Sequence, residues 1–168
     1  PIAVYDSAED LQVTSSDPTA VEIAPRKLVN PVRDGVTDNG KYFFVTVKRA
    51  GTVTLKATSR GRTDEATLTA TSYAGGRWAA GEARYKSGSG GQPPCVDCHV
   101  NGKAIDHSPA ALATATDEKV AVVITTGIST NGAPIMIEGS PTHQWTVTDS
   151  EREGLVTYLR ALEPKGFQ

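Results

Sequence analysis

Two cysteines and a histidine stand together at Cys95-Val96-Asp97-Cys98-His99, and no other stretch of the chain groups reactive side chains so closely. In a Cys-x-x-Cys-His spacing, two thiols can add to the vinyl groups of one porphyrin, and the imidazole that follows falls beneath its iron. The motif therefore predicts one haem c, covalently held through Cys95 and Cys98 with His99 as the lower ligand. Other chemistries use the same atoms. A thioredoxin-type redox pair needs a strand before it and a helix after it, whereas here Ser87-Gly88-Ser89-Gly90-Gly91-Gln92-Pro93-Pro94 precedes the motif and cannot be a core strand. Zinc stays open, because Cys95 and Cys98 could be joined by two of His99, His107 and His143. A plain disulfide stays open as well, since these are the only cysteines.

Composition narrows the partners. With 17 basic and 19 acidic residues and a net charge of −2, the chain has no broad basic field, and 6 % aromatic residues offer little stacking surface, so no nucleic-acid partner is expected. A hydrophobic fraction of 38 % over 168 residues suits two small cores, one of which a cofactor would help to fill. No apolar run reaches the length of a membrane span, and no basic segment with an apolar stretch behind it opens the chain. The expectation is a soluble protein whose export signal has been removed.

The elements that must position the motif divide into two kinds. Residues 1–74 read as an all-β domain: Ile2-Ala3-Val4-Tyr5, Leu11-Gln12-Val13-Thr14, Ala20-Val21-Glu22-Ile23, residues 42–47, residues 52–58 and residues 66–71 are β-prone runs separated by turn signals. Val53, Leu55 and Ala57 alternate with Thr52, Thr54 and Lys56, as in a strand with one wet side, and Ser59-Arg60-Gly61-Arg62-Thr63 reads as a hairpin turn. Gly51–Thr63 with Ala66–Ala70, and Val13–Pro18 with Val21, resemble parts of bacterial Ig-like domains. That resemblance implies an Ig-like β-sandwich. No cluster of chemistry-bearing residues accompanies it, so a docking or structural role is the default.

Residues 75–168 read differently. Trp78–Lys86 combines helix formers around Gly81, with Tyr85 one turn later. Asp117–Thr126 is a second helix, with Thr116 as its cap and Gly127 at its stop. A third starts at Asp149 or Ser150, where Thr148 and Glu151 form a capping box. With the haem motif, this order resembles a class I c-type cytochrome domain, and the resemblance implies an all-α class I cytochrome c fold. It implies that Gly81 and Tyr85 meet Leu155, Tyr158 and Leu159, the absent side chain at Gly81 letting two helices approach. It further implies that the Pro109 carbonyl accepts the free N–H of the lower histidine. Maturation of such a haem occurs outside the bacterial cytoplasm, implying a periplasmic or cell-surface protein.

In the resembled family the upper ligand comes from the loop before the last helix. Met136, the sole methionine, and His143 both lie there. The interval to Thr148-Asp149 favours His143, with Met136 as the alternative and His107 or an open position behind them. Trp145 is expected to pack on the haem or hydrogen-bond a propionate. Two imidazoles donate more electron density than imidazole with thioether, so a His99/His143 pair implies a lower potential than His99/Met136.

These readings converge on one-electron transfer with redox protein partners rather than on an enzyme, with Arg84, Lys86, Lys103, Lys119 and Arg160 available as a docking patch. A haem-based gas sensor is a second reading. A third is a structural subunit of an extracellular electron-conducting assembly, with residues 1–74 contacting an envelope or assembly partner.

Overall fold

The structure, a computed structural model, describes residues 1–26, 40–99, 104, 107, 112, 114–137 and 143–162. The described residues fall into two compact units, Pro1–Ser72 and Tyr73–Leu162. Among them, no helix is long and apolar enough to cross a membrane.

The first unit contains six strands, β1 (Ile2–Val4), β2 (Gln12–Ser15), β3 (Val21–Arg26), β4 (Lys41–Val47), β5 (Gly51–Ser59) and β6 (Arg62–Ala70). They form two three-stranded antiparallel sheets, ordered β1-β4-β3 and β2-β5-β6. Alternation of apolar and polar side chains gives each sheet one dry face. The dry faces supply Val21, Ile23 and Val45 from one sheet and Val53, Leu55, Leu68 and Ala70 from the other to a single core. Pro25 lies in β3, an edge strand of its sheet, where a missing N–H is tolerated. The β5–β6 hairpin closes through Arg60 and Gly61, whose φ values of 48° and 72° give the mirror-image turn that matches strand twist.

The second unit contains α1 (Arg77–Ser87), α2 (Val96–His99), α3 (Asp117–Thr126) and α4 (Asp149–Arg160). Local chemistry sets where the longer ones begin. The Thr116 hydroxyl accepts from the Lys119 N–H at the start of α3, and Thr148 and Glu151 complete a reciprocal capping box on α4. Helices α1 and α4 cross at Gly81 and Gly154. A Cβ on either glycine would collide with the other helix's backbone, since one at Gly81 meets the Gly154 carbonyl and one at Gly154 meets the Arg77 carbonyl. Tyr85 then reaches Tyr158, with ring centres 5.1 Å apart, over a core of Val120, Leu155, Val156 and Leu159. Arg160 ties α4 to the region of α3, donating to Asp117 Oδ1 at 2.9 Å and to the Leu112 carbonyl at 2.9 Å.

The expected fold class requires correction. In place of an Ig-like sandwich followed by an all-α class I cytochrome c domain, the described residues form a small mixed α/β fold of two three-stranded antiparallel sheets and four short helices. Strands and helices hold about as many residues as each other. The helical signals in the sequence are genuine but brief. Gly88–Pro94 and Ile128–Pro134 separate them with turns and isolated bridges, Ser89 to Gln92 and Ile128 to Pro134.

Candidate functional site

The haem motif begins in a single helical turn. Pro94 enters it, the Asp97 N–H donates to the Pro94 carbonyl at 3.3 Å, and the Cys98 and His99 N–H groups donate to the Cys95 carbonyl at 3.2 and 3.1 Å. This turn holds Cys95 and Cys98 three residues apart as free, half-buried thiols, not as a disulfide. Burial pushes the Cys95 thiol above its ordinary pKa, and the nearby Arg84 cation pulls the other way. Cys95 and Val96 pack on the core of the second unit, so the motif is mounted on the α1–α4 scaffold. His99 closes the turn at 9 % exposure.

Three imidazoles gather around this point. His107 stacks on His99 with ring centres 3.7 Å apart and planes 19° from parallel, and Tyr85 Oη lies 3.3 Å from His107 Nδ1. That arrangement places His107 against the face of His99, whereas imidazole lone pairs lie in the ring plane. His143 takes the other geometry, with its ring centre 6.0 Å from that of His99 and the planes at 85°. With metal–imidazole bonds of about 2 Å, two imidazoles on opposite sides of one ion have centres roughly 6 Å apart. His143 Nδ1 is buried without a hydrogen-bond partner. Burial, followed by the neighbouring His99, lowers the His143 pKa. Cys95, Cys98, His99 and His143 are the residues here that could hold a covalently attached haem. Among the described residues no three His, Cys, Asp or Glu side chains form a group able to grip a bare metal ion.

Met136 is elsewhere, with 81 % of its surface exposed. Pro109 lies outside the described residues. Trp145 packs edge-on to His143 at 4.6 Å, but its indole N–H donates to the Pro93 carbonyl at 3.2 Å and is thereby occupied. Of the residues read as a docking patch, Arg84 is interior at 2 % exposure, and Arg160 is engaged by Asp117 and Leu112. Lys103 lies outside the described residues.

No protein-family model, curated protein or solved structure matches the chain. The site's own chemistry must carry its assignment.

Sequence reasoning overlooked several residues that build this site. Gln92 sits in the Gly/Pro loop ahead of the motif, Gly127 abuts the His143 backbone besides ending α3, and Gly154 meets Gly81 alongside the expected Leu155. Arg84 donates to Gln92 Oε1 at 3.1 Å and approaches Glu151 at 4.0 Å, while its Nε and Nη1 make no hydrogen bond. The only signal for Arg84 was its place one residue before Tyr85 on the buried side of α1; the others had none, because their partners are remote in sequence.

Proposed function

We propose that the protein is a monohaem c-type cytochrome that transfers single electrons between protein partners. The observation that carries this reading is the 6.0 Å spacing of His143 and His99 beside two free thiols on one helical turn. In this reading each thiol of Cys95 and Cys98 adds across a vinyl group, sulfur to one carbon and hydrogen to the other, so the attachment needs no oxidant. When bound, the haem supplies an iron that cycles between ferric and ferrous states. His99 and His143 would hold it, and a second imidazole would favour a lower potential than a thioether ligand. The core around Tyr85, Tyr158 and Leu155 packs against Cys95 and Val96 and so backs the attachment site. The strand unit has a docking or assembly role in this proposal, and maturation of haem outside the cytoplasm would make the protein periplasmic or exposed at the cell surface.

The test is the visible spectrum of protein expressed in a host that matures c-type haem. A covalent haem with a low-spin ferric spectrum lacking the thioether charge-transfer band is expected. His143→Ala should convert it to a high-spin form that takes up carbon monoxide, and Met136→Leu should leave it unchanged. A colourless protein of apo mass would defeat the proposal, and a thioether band lost in Met136→Leu would defeat the choice of His143.

A further inference from the structure

Resting on the haem reading above, we propose that Gln92 and Gly127 are positioning residues that seat His143 opposite His99. His143 Nδ1 has no partner, and what holds the ring is a backbone hydrogen bond at Val123, the edge of Trp145 and the backbone that carries it. That backbone is gripped from two sides.

On the side of the haem motif, one amide does the gripping. Gln92 Nε2 donates to the Gln144 carbonyl at 3.1 Å, and Gln92 Oε1 accepts from the Thr146 N–H at 3.0 Å. The same Oε1 accepts from Arg84 Nη2 at 3.1 Å. Two donors converging on one atom require it to be the oxygen, so the amide cannot serve equally well when flipped. Gln92 thus replaces a sheet partner for residues 144 and 146, and Pro93 holds the Trp145 indole between them. Three successive residues after His143 are fixed to the loop that leads into Cys95.

On the side of α3 the constraint is steric. The Trp145 N–H donates to the Ile124 carbonyl at 3.0 Å, drawing the segment after His143 against the helix end. Gly127 has φ of 69°, and a Cβ there would lie 2.6 Å from the His143 carbonyl oxygen and 3.0 Å from its carbonyl carbon. The Gly127 carbonyl also accepts from the Ile135 N–H at 2.7 Å, so Gly127 is itself held. A side chain at 127 must therefore move His143, and a left-handed φ adds strain for any L residue.

The experiment uses the full-length haem-loaded protein with Gln92→Leu, Gln92→Glu and Gly127→Ala. Readouts are the ferric spectrum, the rate of carbon monoxide uptake by the ferrous form, restoration by added imidazole, and far-UV circular dichroism. Gln92→Leu and Gly127→Ala are expected to raise the fraction of molecules with His143 detached, and with it the uptake rate, by about tenfold or more. Added imidazole should return their ferric spectra to low spin, and Gln92→Glu, which keeps the acceptor for Arg84 and Thr146, should fall between Leu and wild type. Folded, haem-bearing variants with wild-type spectra and uptake rates would overturn the inference while leaving the haem reading intact. If Gly127→Ala does not fold, Gln92→Leu alone decides. A wild type without covalent haem overturns both.

Discussion

The two units of this chain satisfy their polar groups differently. In the sandwich, side chains such as Asp17 and Asp10 are matched locally or across strands: Asp17 accepts from Thr19 and Ala20 and pairs with Arg49, and Asp10 accepts from the Arg60 N–H at 2.7 Å. In the helical unit three buried side-chain nitrogens, Arg84 Nε, Arg84 Nη1 and His143 Nδ1, have no hydrogen-bond partner, and among the described residues the sandwich has no such atom. Each unpaired buried donor or acceptor costs about 1–3 kcal/mol. The lesson is that the sandwich is arranged for stability, while the helical unit tolerates a cost in the neighbourhood where its chemistry is proposed.

The contrast also extends to packing. The sandwich packs side chain on side chain, but the helical unit turns on a contact between two backbones. Gly81→Val should therefore be the most damaging change, abolishing the helical circular dichroism signal at a cost above about 4 kcal/mol while β signal persists. Retention of native helicity would show that α1 and α4 need not touch at the glycines. Next come two truncations of the same chemistry. Leu155→Ala and Leu55→Ala should each cost about 2–5 kcal/mol in denaturant melts, with Leu155 at the upper end because it is 1 % exposed against 8 % for Leu55. The reverse order would make the sandwich core the tighter of the two.

A pH prediction follows in size. Tyr73 donates to Asp117 Oδ2 at 3.2 Å, and burial, followed by the negative charge of Asp117, pushes its pKa up to about 12. A folded pKa above the unfolded one means stability that is whole below pH 10 and declines as pH rises toward 12, because the unfolded chain releases its proton first. Absorbance titration should show a late-ionising phenol that moves earlier in Asp117→Asn. Thr148→Ala should then remove one half of the capping box on α4 for about 1 kcal/mol. The smallest effect belongs to Lys86→Ala, whose exposed pairing with Glu82 at 2.7 Å should contribute nothing measurable to the melting temperature.

How much was legible in the sequence depended on how far each contact spans the chain. The Cys95–His99 motif, the Thr116 and Thr148 caps and the Arg60-Gly61 turn are set by residues within four positions of each other, and their chemistry is readable from order alone. Nothing local could reveal Gly154 as a partner of Gly81 or show that Gln92 grips residues 144 and 146 some fifty positions away. Helix lengths were similarly ambiguous, and the resemblance to an all-α cytochrome domain did not anticipate how short the helices are. The sequence by itself determined the reactive group and the starts of the elements, because those rest on neighbours along the chain. Which imidazole faces His99, which cation is interior and how closely two helices approach were decided by the tertiary structure, because steric exclusion and burial exist only once distant segments meet.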